Sequence, residues 1–136
     1  MKKKFLRTLL ILGIISGSLN ADIIPAREAK KISETATKKV IENFMKDPKT
    51  KQAYIETENY VSKIIKKVAK EGFYNIVHVR IDNIDRELKN MKFNKLSKKQ
   101  QDILKYLLKN KLQKLGYKIE KGKYDILGLD WWIAWN

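Results

Sequence analysis

His78 is the single histidine in 136 residues, and the one side chain whose ordinary pKa suits general-base work near neutrality. It lies in FYNIVHVRI, residues 73–81, a run dense in β-branched and aromatic residues. Strand alternation places Tyr74, Ile76, His78 and Arg80 on one face and Phe73, Val77, Val79 and Ile81 on the other. A strand-borne His–Arg pair can bind a phosphate or a carboxylate. Catalysis asks for more, and the sequence offers no G-x-S-x-G nucleophile elbow and no acid at a spacing that marks an orienting partner for His78. His78 therefore reads as a structural or surface residue.

Other chemistries are narrowed by composition. Zero cysteine removes disulfides, thiolate catalysis, iron–sulfur clusters, cysteine-ligated zinc and lipid acylation. Asp82-Asn83-Ile84-Asp85 lacks the alternating oxygens and the glycine of a calcium loop. Gly72, Gly116, Gly122 and Gly128 are isolated, so no phosphate-cradling loop is present. Paired acids for glycoside hydrolysis need only a spatial separation, and nothing in the sequence points to them. No catalytic residue, cofactor or metal is assigned, and the chain reads as a non-enzyme.

The C-terminus is the more unusual feature. Trp131, Trp132 and Trp135 fall within five positions. In the strand read from KYDILGLDWWIAW, Leu127, Leu129, Trp131, Ile133 and Trp135 share the core face. Tyr124, Ile126, Asp130 and Trp132 share the opposite one. Either a helix covers Trp132 or it is an exposed anchor for a partner. If exposed, Trp132 with Tyr74, Tyr124, His78 and Arg80 forms the candidate partner surface, suited to a protein or a carbohydrate.

Five further elements must position these residues. Ala29, Ile32, Ala36, Val40 and Phe44 form a thin apolar stripe on a helix that ends at Asp47-Pro48. A second helix then runs to Lys70, with Ile55, Val61, Ile64, Ile65 and Val68 inward and Gly72 as its stop. After the His78 strand, Asp82 or Asn83 can cap a short helix carrying Ile84, Leu88 and Met91. Ser97 and Gln100 form a capping box before Ile103, Leu104, Leu107, Leu108, Leu112 and Leu115, the strongest amphipathic pattern in the chain. Gly116 ends it, YKIE begins a strand, and Lys121-Gly122 suggests a tight hairpin. The order predicts an α+β fold: N-terminal helices, then a small antiparallel three-stranded sheet with helices packed mainly on one face. Residues 22–47 are read as an N-terminal helix and 48–136 as the α+β domain.

Residues 1–21 read differently. Lys2, Lys3, Lys4 and Arg7 precede the apolar run TLLILGII and the small-residue segment SGSLNA, the layout of a secretory signal peptide. The apolar core is far shorter than the roughly 20 residues that span a bilayer. Export to the periplasm or the extracellular space is expected. Without residues 1–21 the net charge falls from +15 to +11. The bases are 26 lysines and only 4 arginines, so the charge reads as a lysine-solvated surface rather than as a phosphate-reading face.

Two resemblances emerge from these pieces. Ala26-Arg27-Glu28-Ala29-Lys30-Lys31-Ile32-Ser33, Val68-Ala69-Lys70-Glu71-Gly72, Leu112 to Leu115 with Gly116-Tyr117-Lys118-Ile119, and the closing Ile133-Ala134-Trp135 are similar to the pattern of small α+β proteins encoded by bacteriophages. That likeness spans nearly all of residues 24–136 and implies a compact binding or structural module; the export leader departs from it. The order helix, strand, helix, helix, hairpin also resembles a winged helix, with Ser97–Leu115 as recognition helix and Lys121-Gly122 as wing tip.

The sequence thus points to an exported interaction or structural module whose partner is a protein or envelope component. A winged-helix nucleic-acid binder and an envelope protein that binds anionic lipid or glycan are the alternatives. A membrane enters only through an uncleaved leader or the lysine surface. Intact-mass measurement on protein recovered from the envelope and culture fluid of producing cells is expected to show loss of residues 1–21. Recovery of intact Met1 in the soluble cytosol would contradict it.

Overall fold

The computed structural model describes residues 23–136, so the leader expected at residues 1–21 lies outside the described residues. The chain separates into two compact units, one ending at Lys38 and the other spanning Lys39–Asn136. The core and the candidate site belong to the second unit. Among the described residues three long helices and three strands are formed, α1 Ala26–Lys46, α2 Pro48–Glu71, β1 Ile76–Ile81, α3 Lys98–Lys114, β2 Lys118–Lys121 and β3 Leu129–Ala134, with single 3₁₀ turns at Lys92–Lys95 and Asp125–Leu127. The fold is α+β. Among the described residues no helix is long and apolar enough to cross a membrane.

Local signals set the helix ends. Asp47 caps α2 by accepting the amide of Lys49 at 2.9 Å, and Pro48 fills the first position, where a missing N–H costs nothing. The Ser97–Gln100 capping box forms reciprocally at the start of α3, at 3.2 and 3.0 Å. The inward face of α2 differs from the sequence reading. Ala53, Thr57, Val61 and Ile65 are buried at four-residue steps, Ile64 and Val68 flank them, and Ile55 points to solvent. Thr57 enters the core because its hydroxyl donates to Ala53 O at 2.8 Å, which satisfies its polarity within the helix. Phe44 is the buried member of the α1 stripe.

The sheet has the order β1-β3-β2, antiparallel throughout. β3 is central, pairing His78 with Trp132 and Arg80 with Asp130 on one side, and Glu120 with Trp132 on the other. Val77, Val79, Ile81, Leu129, Trp131 and Ile133 form its buried face, packed with Val61, Ile65, Leu104, Leu108 and Leu112 of the helices and with Phe93. Trp131 is wholly buried. Its roughly 200 Å² of surface, at about 25 cal/mol/Å², corresponds to at most about 5 kcal/mol of burial free energy.

Several local readings are corrected. Residues 82–91 form turns rather than a helix, and Ile84 is exposed. Ten residues are marginal for a helix. Here the side chains compete for the backbone: Asp82 accepts the amides of Ile84 and Asp85, Asp85 accepts that of Glu87, and Asn94 donates to the carbonyls of Asp82 and Leu88. The helix–helix pair of a winged helix is therefore not formed ahead of α3. Phe73 and Tyr74 precede β1 and lie outside it. The long C-terminal strand is divided: the 3₁₀ turn takes Asp125–Leu127, Leu127 is exposed, and strand begins at Leu129. Trp135 is half-buried, edge-on to Tyr117 at 6.5 Å. No two-residue hairpin forms at Lys121-Gly122, because the chain between β2 and β3 makes a longer connection through the 3₁₀ turn.

That connection re-enters the sheet at Gly128, where a Cβ would overlap the carbonyl oxygen of Ile81 and crowd Asp82 Cα at 3.3 Å. Neither atom belongs to a flexible side chain, so the backbone itself would have to shift. Gly128→Ala is expected to destabilise the protein by about 1–3 kcal/mol, read as a lower urea midpoint; an unchanged midpoint would mean that the approach relaxes freely.

Candidate functional site

The face of the sheet opposite the core is the candidate site, and its register explains which residues meet there. His78–Trp132 and Arg80–Asp130 are directly opposed pairs, and in both the side chains project to the same open face. The His78 ring stacks on Trp132 with centroids 4.4 Å apart and planes inclined by 17°. Its Nε2 is hydrogen-bonded to Asp130 Oδ1. Next along, the Arg80 guanidinium lies over the Tyr124 ring at 4.1 Å, and Lys123 Nζ lies 4.9 Å from the same ring. Arg80 Nε donates to Asp82 Oδ2 at 2.6 Å.

Four of the five residues singled out in the sequence, His78, Arg80, Tyr124 and Trp132, are thus brought together. Tyr74 is not: it sits 61% exposed in the lead-in to β1 and has no hydrogen bond or ring contact with the other four. Tyr124 reaches the face from the β2–β3 connection and not, as its spacing suggested, from the strand itself. Trp132 is 43% exposed, and no helix among the described residues covers it.

The residue that sequence reasoning missed as His78's partner is Asp130, 52 positions away. Asp130 is buried, accepts the amide of Tyr124 at 2.9 Å through Oδ2, and lies where any Cβ on Gly122 would strike its carboxyl. Its own amide donates to Asp125 Oδ1 at 3.1 Å. Its strand neighbour Trp132 falls opposite His78, and that alternation was the available signal. Without the register, no spacing rule links positions 78 and 130.

Burial pushes the Asp130 carboxyl up, but the hydrogen bonds from His78 and Tyr124 and the nearby charges of His78 and Arg80 outweigh it and hold the group below its ordinary value of 3.8. Asp82 behaves likewise: burial raises it, while Arg80 and the amides of Ile84 and Asp85 bring it down further. Ionised Asp130 is an acceptor only, so His78 donates to it through Nε2–H. The site therefore offers an aromatic platform, an imidazole held by a carboxylate, and a guanidinium shared between an aromatic face and a carboxylate. Among the described residues no cluster of His, Asp or Glu has the arrangement of a metal site.

A separate groove of about 590 Å³ runs along α3 on the other side of the β2–β3 connection, lined by Lys98, Lys109, Asn110, Lys121 and Ile126 among others. Lys105, which also borders it, spends its ammonium on Asp125 O and Gly128 O, both at 2.8 Å, and so pins the connection to α3. Trp131 forms part of the wall, and its buried Nε1 has no acceptor. Comparison with known protein families, curated proteins and solved structures finds no match to this chain.

The carboxylate shifts fix a pH dependence. A group whose folded pKa lies below its unfolded value adds stability that is present above the unfolded value, and that stability is lost as pH falls through the folded one. Stability is accordingly expected to drop as pH falls below the ordinary 3.8. In Asp130→Asn the slope below that pH should be shallower, as read from urea midpoints at pH 5 and below. Equal slopes in the two proteins would show that Asp130 is not held ionised by these donors.

Proposed function

We propose that the protein is an exported, non-enzymatic interaction module that holds a protein or envelope-component partner on the open face of its sheet. The observation that carries this reading is Trp132, a large aromatic left 43% exposed at the centre of a sheet and held in one orientation by the His78 ring. The His78–Asp130 bond fixes that ring in turn. An aromatic already ordered before binding loses little entropy on contact, which is why such residues act as interface anchors. Tyr124, held under Arg80 and Lys123, extends the same surface.

A His–Asp pair is also the core of a general base. Catalysis draws most of its power from enclosed, water-excluded sites, where dipoles act at low dielectric. His78 instead lies on a broad face with its side chain 38% exposed. Recognition makes better use of such a face. The leader at residues 1–21 and the likeness to small phage-encoded α+β proteins support export and a module of this kind.

Trp132→Ala tests the proposal. Stability is expected to fall by only about 0.5–1.5 kcal/mol, the worth of a stacked aromatic pair, and not by the roughly 3–5 kcal/mol of a core tryptophan. Used as bait at moderate salt against envelope and culture-fluid fractions, the wild-type chain should retain a partner that the variant loses. A partner held equally by both, or a large loss of stability, would overturn it.

A further inference from the structure

The two edges of the sheet differ in a way that points to a second copy of this chain. Trp135 N donates to Asn75 O at 2.9 Å, which makes that opposed pair a hydrogen-bonded one. Bonded and non-bonded pairs alternate along an antiparallel ladder, so Val77–Ile133, Val79–Trp131 and Ile81–Leu129 are the other bonded pairs. The far side of β3 agrees. Gly122 N donates to Asp130 O at 2.7 Å, so β3 turns the main chain of Asp130, Trp132 and Ala134 toward β2. Ile76, His78 and Arg80 therefore direct their N–H and C=O groups out of the sheet. Among the described residues nothing bonds to these six groups.

The β1 edge is six residues long, with no proline and no lysine. The β2 edge is four residues long and carries a lysine at each end, Lys118 and Lys121, the usual guard against edge pairing. One edge is defended and the other is not.

We propose that two copies pair antiparallel through their β1 edges about a two-fold axis at His78, forming a continuous six-stranded sheet. The edge is self-complementary in that register. His78 faces His78 of the second copy, Ile76 faces Arg80, and Val77 faces Val79 on the core side. Arginine is never set against arginine. The axis stands perpendicular to the sheet, so both open faces look the same way. The two Trp132–His78 stacks then belong to one platform, and Arg80 of each copy lies beside Ile76 of the other. Net charge opposes association of two such basic chains, so salt, which screens that repulsion, strengthens the pair.

Ile76 is the residue to change, because it is 42% exposed and makes no ladder bond within its own sheet. Ile76→Lys sets a cation opposite Arg80 twice in the dimer, and Ile76→Glu sets an anion there twice. Sedimentation analysis from about 1 μM to about 1 mM is expected to show a monomer–dimer equilibrium. The Lys variant should weaken it by about 2- to 30-fold and the Glu variant strengthen it by a similar factor. Amide exchange at Ile76, His78 and Arg80 should slow with concentration while that at Ile119 does not. A monomer at every concentration overturns the proposal and leaves the edge to an extended segment of another protein. A dimer indifferent to both substitutions, or one broken by Lys118→Glu, overturns it in favour of a different interface. Neither result bears on the Trp132 capture experiment.

Discussion

A carboxylate in the middle strand of a three-stranded sheet must either find donors or lose its charge, and Asp130 finds them on both sides. His78 comes from β1, the Tyr124 amide from the β2–β3 connection, and the strand's own amide is taken by Asp125 of that connection. Each donor offsets part of the cost of burying the group, and each also fixes the place of the element that supplies it. The result is a joint between three parts of the chain. Gly122 belongs to that joint, since it is the residue that lets the turn lie against the carboxyl.

The orientation of the exposed aromatic follows from the same joint. His78 could rotate freely if it were bound only through its own strand, but with Nε2 engaged by Asp130 the ring is parallel to Trp132 and in contact with it. Arg80 is restrained in a similar way by Asp82 and Tyr124. Side chains that would lose entropy on meeting a partner have lost much of it beforehand, during folding. The register that builds this face also determines the edge. His78 and Arg80 oppose β3 residues at non-bonded positions, which brings their side chains near Trp132 and Asp130 and turns their backbone groups outward.

Below the sheet the arrangement is more conventional. The buried face of β1 and β3 closes on α2 and α3, with Ala53 and Thr57 of α2 and the whole of Trp131 buried. Lys105 takes an unusual part for a lysine. It is mostly buried and satisfies two carbonyls and the Asp125 carboxylate, tying the loop that carries Tyr124, a donor to Asp130, to the helix beneath.

How far all this is legible in the chain varies with the range of the forces involved. Helix caps, the leucine face of α3, the α+β class and the alternation that puts His78 with Arg80, and Asp130 with Trp132, on one face of their strands follow from local periodicity and capping chemistry, which act over a few residues. The turns at 82–91, the long β2–β3 connection, the outward Ile55 and the isolation of Tyr74 do not. In each, bonds to residues distant in the chain, or competing side chain–backbone bonds, prevailed over local propensity. The His78–Asp130 pair is the sharpest instance: both residues are plain in the sequence, but 52 positions separate them. Only the pairing of β1 with β3 decides that they meet, because strand register is set by burying Val79 against Trp131 and not by anything near either residue alone.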